Sequence, residues 1–181
     1  MDPKLEHLTA PAYLAGLTTI PIERVRAMRA DCQAVENALS YVRRLAQGRL
    51  DIVGAELERR REGGDPANLR ELIGRLPDIL ADRVHGGGGG GGFGRPPSDL
   101  STDDIVATFS GELDEIMSPA AVGSVAELSD AELEAIRDRL ATFERATSER
   151  RHAMHDVIDT LQAEITRRYR TGEATVDTLL Q

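Results

Sequence analysis

The sequence is poor in aromatic side chains, with no Trp, three Tyr and three Phe among 181 residues. A compact β-sheet protein normally fills its core with more aromatic and β-branched residues than this. Leu, Ala and Arg are abundant instead, and all three are good helix formers. The composition therefore predicts an all-α protein whose helices pack through aliphatic side chains.

Cysteine is almost absent. The single cysteine, Cys32, excludes a disulfide bond within the chain and indicates a reducing compartment. Cys32 is in register with neighbouring apolar positions, so we expect it to pack in the core. No apolar run reaches the ~20 residues of a membrane-spanning helix and no signal peptide is recognisable, so we expect a cytoplasmic protein without a membrane partner.

Positive charge is in deficit, since 22 Lys and Arg residues face 31 Asp and Glu residues and the net charge is −9. Non-specific DNA binding needs a basic surface, so direct DNA binding is not expected. An acidic chain is compatible with docking onto a basic surface of a partner protein.

The first of two long amphipathic segments is expected to form a helix over residues 22–62. Pro21 is tolerated at the start of a helix, and the glycines and proline of residues 63–66 would stop one. Apolar residues recur at alternating three- and four-residue steps, the pattern of a coiled-coil seam, which Arg49 interrupts. The seam comprises Val25, Met28, Cys32, Val35, Leu39, Val42, Ala46, Val53 and Leu57.

The second long helix is expected over residues 129–171. Ser129 followed by Glu132 is the signature of a capping box, and Gly172 is suited to ending a helix. Thr147 and Arg150 weaken the middle of its apolar seam. The seam comprises Leu133, Ile136, Leu140, Phe143, Met154, Val157 and Leu161.

The remaining segments are expected to be accessory. Residues 1–21 contain three prolines and are interpreted as an irregular N-terminal arm, with apolar anchors and room for a short turn of helix. Residues 63–128 are interpreted as a connector, and residues 172–181 as a tail. The anchors of the arm are Leu14, Leu17 and Ile20.

Within the connector, short helices are expected in residues 67–84 and in residues 98–117. Between them, seven consecutive glycines predict a disordered linker over about residues 85–97, because ordering glycine costs the most backbone entropy. Neither long seam is stable alone in water. The predicted fold is an antiparallel two-helix coiled coil with short accessory helices and a flexible Gly-rich linker, one functional domain overall.

A polar stripe occurs once in each long helix, with the same spacings of 4, 3, 4 and 4 residues. At about 100° per residue, five such side chains fall within about 80° of the helix surface, over about 22 Å. The second stripe begins 108 positions after the first (144 minus 36) and flanks its apolar seam on the same side. The stripes are Glu36, Ser40, Arg43, Gln47 and Asp51, and Glu144, Ser148, Arg151, His155 and Asp159.

In an antiparallel pair, the two stripes would meet around an approximate two-fold axis in an elongated, polar, half-buried site. Arginine can bind guanine N7 and O6 or a phosphate. Carboxylates can accept the N1–H and N2–H₂ donors of guanine. A guanine-containing, two-fold-symmetric diphosphate fits these groups, and four carboxylates around two arginines leave an empty site poorly compensated. The alternative is that such polar positions merely serve solubility and pairing within a coiled coil.

The repeated pattern E-x₃-S-x₂-R-x₃-Q-x₃-D resembles the RsiG anti-sigma factors of actinobacteria, most recognisably in ENALSYVRRLAQGRLDIV. The resemblance implies that the ten stripe residues bind cyclic di-GMP, as a dimer of the nucleotide, and that the complex captures a sigma factor of the WhiG type. His155 departs from the pattern, which has Gln there. Imidazole retains one donor and one acceptor, so we expect a modest effect on binding.

Other functions receive less support. His152, His155, Asp156 and Asp159 share a helix face, but no further Cys or His completes a metal site, so no metal is expected. No pairing of a nucleophile with a base and no cofactor motif is recognisable, so an enzyme is not expected. The main alternative is a structural coiled-coil adaptor that binds no small molecule.

Overall fold

The structure is a computed structural model that describes residues 2–63 and 103–174. The expected short helices within residues 67–84, the glycine linker at about residues 85–97 and most of the tail lie outside this part of the chain. The described residues form helices and contain no strand. In chain order the helices are α1 (Pro3–Thr9), α2 (Ile22–Arg61), α3 (Asp103–Ile116), α4 (Pro119–Gly123) and α5 (Asp130–Thr171).

The long helices α2 and α5 begin and end where local chemistry predicts. Pro21 precedes α2. Ser129 and Glu132 form the expected capping box at the start of α5, each side chain bonding the backbone N–H of the other residue. Gly172 ends α5 in the left-handed conformation, with φ of 75°, which glycine adopts without steric cost.

Helices α2 and α5 pack against each other in antiparallel directions, as expected. Near the end of α2, Arg60 bonds Asp130 at the start of α5, and near the end of α5, Arg168 bonds the carbonyl of Ile20 just before α2. The predicted seams form the core between the helices. All of their residues are buried except Ile136, which is half-buried.

Arg49 interrupts the seam of α2 because it binds the end of α3. Its guanidinium donates to the carbonyl oxygens of Leu113 and Met117 and forms a 2.6 Å ion pair with Asp114. The last carbonyls of a helix have no partner within that helix. The carbonyl of Leu113 already accepts from the backbone N–H of Met117, so Arg49 adds a second donor there, provides a donor for Met117, and fixes α3 against α2.

The weak middle of the α5 seam is explained in the same way. The hydroxyl of Thr147 donates to the carbonyl of Phe143, so this buried side chain has its hydrogen-bond partner. The guanidinium of Arg150 lies 4.9 Å from the centre of the Phe109 ring on α3. This cation–π contact allows a charged residue to cover the core at this level.

The N-terminal arm is more regular than expected. Asp2 caps α1 by accepting hydrogen bonds from the backbone of Lys4 and Leu5, and Pro3 occupies the first turn. Leu5 and Leu8 are buried, whereas the expected anchors pack only at the edge of the core. The short turn of helix for which the arm had room lies at residues 3–9, where Asp2 provides the cap and Leu5 and Leu8 face the core.

Candidate functional site

The two polar stripes face each other across the helix pair. Arg43 on α2 bonds Glu144 on α5 at 3.2 Å, and Arg151 on α5 approaches Glu36 on α2 to 3.7 Å. Each contact joins the arginine of one stripe to the glutamate of the other, so a two-fold rotation that exchanges the helices also exchanges the two contacts. The residue numbers in each pair add to 187. We call these four residues the charge box.

Contacts along each helix extend the charge box in parallel ways. Arg43 donates to Gln47 (3.4 Å), and Arg151 lies 3.3 Å from the corresponding His155. His155 therefore stands where Gln stands in the first stripe and makes the same kind of contact. It also lies 3.2 Å from Glu36, which ties the second stripe to the first.

The two halves differ around their glutamates. The Glu36 side chain is only 8% exposed and accepts hydrogen bonds from Ser40 (2.8 Å) and Gln33 (3.2 Å). The Glu144 side chain is 25% exposed, and the hydroxyl of Ser148 makes no hydrogen bond within the described part of the chain. The charged groups of the site are thus related by an approximate two-fold axis, but the site is more buried around Glu36 than around Glu144.

The structure does not bring the two aspartates into the charge box. Asp51 and Asp159 are exposed, one at each end of the paired stripes, and neither carboxylate has a hydrogen bond or ion pair to another described residue. The expectation of poorly compensated charge was therefore wrong for the glutamates, which already have arginine partners.

The arginines of the charge box have unused hydrogen-bonding capacity. The Nε atoms of Arg43 and Arg151 are both buried, and neither has a partner among the described residues. A buried donor without an acceptor is costly, so it usually marks a place that a ligand or water completes. The same atom is unpaired in both halves of the site, so this feature also obeys the approximate two-fold symmetry.

Comparison with known proteins agrees with the stripe pattern. A family model described as RsiG-like matches residues 11–80 and 119–181, well over half of the chain and both stripes. The chain belongs to the RsiG-like family. The expected resemblance is thereby confirmed. No curated protein matches the sequence.

Membership of the RsiG-like family indicates an anti-sigma factor role, with a sigma factor as the partner. The family is regulatory and is not known for enzymatic activity. Among the described residues, no group of three or more His, Cys, Asp or Glu side chains could hold a metal ion. No helix in the same part of the chain is long and apolar enough to cross a membrane.

A second duplicated cluster, not predicted from the sequence, lies outside the charge box in this RsiG-like chain. Glu56, Arg59 and Arg60 recur 108 positions later as a glutamate followed at three and four residues by arginines, the same offset as the stripes. That shared offset is the signal for this cluster in the sequence. The second cluster is Glu164, Arg167 and Arg168.

Each cluster holds the segment that leads into the opposite long helix. Arg60 donates to the carbonyl of Ala126, and Arg168 donates to the carbonyls of Leu17 and Ile20, both at 2.6 Å. The buried Glu56 and Glu164 orient these arginines. By fixing where each long helix begins, the clusters fix the register that brings the two stripes together.

The same contacts shift the titration of the buried glutamates. Hydrogen bonds from Arg167 and then Arg168 lower the pKa of Glu164 from 4.5 to about 2. Hydrogen bonds from Arg59, with a smaller contribution from Arg60, likewise lower the pKa of Glu56. Both carboxylates are therefore charged at neutral pH.

Proposed function

We propose that this RsiG-like chain binds cyclic di-GMP between its two stripes and, with the nucleotide, sequesters a WhiG-type sigma factor in the cytoplasm. The observation that carries the proposal is the reciprocal charge box. Arg43 and Glu144 repeat Glu36 and Arg151 about a two-fold axis. Cyclic di-GMP has two guanines and two phosphates related by the same kind of symmetry.

The groups of the site suit the groups of the ligand. The unpaired, buried Nε atoms of Arg43 and Arg151 offer donors to a phosphate or to guanine N7 and O6. The exposed Asp51 and Asp159 offer acceptors to the N1–H and N2–H₂ donors of guanine. They lie at the ends of the stripes, beyond the charge box, and the offset of 108 positions that relates the two halves also relates these two aspartates.

The charge of the chain supports the choice of partner. Its net charge is −9, and the DNA-binding surfaces of a sigma factor must be basic to hold phosphates. An acidic protein can cover such a surface and compete with DNA for it. The nucleotide, lying against both helices, would add anionic groups to the same face.

The test is calorimetric titration of the full chain with cyclic di-GMP, alone and with a co-expressed WhiG-type sigma factor. We expect binding heat in at least one sample, with none for GTP or cyclic di-AMP. Arg43→Ala and Arg151→Ala should each abolish binding while helix content by circular dichroism is retained. Arg24→Ala, an exposed arginine on the far side of α2, is the matched control.

The alternative of a structural coiled-coil adaptor is favoured by one observation. The stripes already bond each other across the helices, as residues that serve only helix pairing would. An adaptor gives no binding heat with either sample. It also predicts that Arg43→Ala changes the stability of the helix pair and nothing else.

A further inference from the structure

The stripes extend one position further than the ten residues named so far. Arg29 precedes Glu36 by seven residues, and Arg137 precedes Glu144 by seven. Seven residues are close to two helical turns, so each arginine lies within about 20° of its glutamate around the helix. Each stands about 10 Å before it along the axis. The duplicated pattern therefore begins with arginine.

Arg29 has the same unused donor as the arginines of the charge box. Four arginines in the described residues have a buried side-chain nitrogen without a partner: Arg26, Arg29, Arg43 and Arg151. Two of them belong to the charge box, and Arg26 lies over the ring of Tyr169 at 5.5 Å. The Arg29 side chain makes no hydrogen bond or ion pair with any other described residue. Its buried Nε therefore needs an acceptor that this part of the chain does not supply.

The antiparallel register places each of these arginines level with an aspartate of the other helix. In the charge box, residues opposite each other on the two helices have numbers that add to 187. The same sum therefore identifies which residues lie at the same level elsewhere along the pair. Arg29 is therefore level with position 158, next to Asp159, and Arg137 is level with position 50, next to Asp51. Both aspartates are exposed and unpaired within the described residues. Each end of the site thus combines an arginine from one helix with an aspartate from the other.

We propose that Arg29 with Asp159, and Arg137 with Asp51, form two clamps that each hold one guanine of the bound nucleotide. The guanidinium takes N7 and O6, while the carboxylate takes N1–H and N2–H₂, so the two side chains bind different edges of one base. This inference rests on the proposed function and adds two residues to its site. Arg137 now contacts Asp138 through a surface ion pair, a weak contact that a ligand can displace.

The test compares variants of the full chain by calorimetric titration with cyclic di-GMP, in whichever sample binds the wild type. Arg29→Ala and Arg137→Ala should each weaken binding at least tenfold. Arg29→Lys should weaken it similarly, because lysine keeps the charge and loses the planar fork. It also provides the test if Arg29→Ala fails to fold. Arg24→Ala, exposed on the far side of α2, should change nothing.

A double variant tests whether the two side chains hold the same base. Asp159→Asn alone should weaken binding, and combining it with Arg29→Ala should cost much less than the product of the two separate losses. Affinity within threefold of wild type for either arginine-to-alanine variant, or fully multiplicative losses, overturns the clamps. Absence of wild-type binding, or unchanged binding in Arg43→Ala and Arg151→Ala, instead overturns the proposed function itself.

Discussion

Replacing Arg168 with alanine should destabilise the fold more than replacing Arg60, its counterpart in the other long helix. Its side chain is only 7% exposed. It donates three hydrogen bonds of 2.6 Å, to the Glu164 carboxylate and to the carbonyls of Leu17 and Ile20. The substitution would remove all three and leave a buried carboxylate with a single arginine.

The magnitude follows from these contacts. A hydrogen bond to a charged group contributes about 1.5–3 kcal/mol, and breaking a buried ion pair by removing one partner costs about 3–5 kcal/mol. Glu164 keeps Arg167, and water can reach the two freed carbonyls once the side chain is gone. We therefore expect a loss of about 3 kcal/mol in the free energy of unfolding, the low end of that range.

Urea denaturation followed by circular dichroism measures this loss. Arg170→Ala is the control, since Arg170 is exposed on the same helix, and it should change stability by less than about 0.5 kcal/mol. Arg60→Ala should cost less than Arg168→Ala, because the Arg60 side chain is 19% exposed and its two hydrogen bonds to carbonyl oxygens are 3.1 and 3.5 Å long. A loss for Arg168→Ala no larger than that for Arg170→Ala would refute the view that this cluster fixes the register.

Two further predictions concern Glu164 and His155. Because the pKa of Glu164 is depressed from 4.5 to about 2, its stabilisation is present above about pH 4.5 and is lost as the pH falls toward 2. Glu164→Gln should therefore lower the free energy of unfolding at neutral pH and make it decrease less as the pH falls from about 4.5 toward 2. An equal decrease in the two proteins over that range, measured by denaturation at each pH, would contradict this. His155→Gln should change cyclic di-GMP affinity by less than tenfold, about 1.4 kcal/mol, because Gln47 shows that glutamine makes the same contact with its arginine; a larger change in titration would show that imidazole has a role of its own.

Much of the fold was predictable from local patterns. The bounds of α2 and α5 follow from Pro21, from the capping box at Ser129 and from Gly172, all of which act through backbone geometry within a few residues. The seam residues are predictable because helical periodicity alone determines which side chains share a face. The position of α1 within the arm was not predicted, because it depends on the docking of Leu5 and Leu8 against residues distant in sequence.

The candidate site was predictable in its residues and less so in its contacts. The spacing of the stripes shows that Arg43 and Glu36 share a helix face, but it cannot show that each pairs with the other helix. The repeat was also longer than the recognised motif. Arg29 and the Arg168 cluster were visible at the same offset in the sequence, and only their burial indicated that they matter.

The sequence by itself determined that two long helices form, which face of each is apolar, and that a polar stripe is repeated 108 positions downstream. These properties depend on residue type and helical period. The tertiary structure decided the register of the antiparallel pair, and with it the reciprocal pairing of Arg43 with Glu144 and of Arg151 with Glu36. Register depends on long-range contacts, such as those of Arg60 and Arg168 with the segments before each helix, which no local pattern encodes. The same register leaves Asp51 and Asp159 unpaired at the two ends of the site.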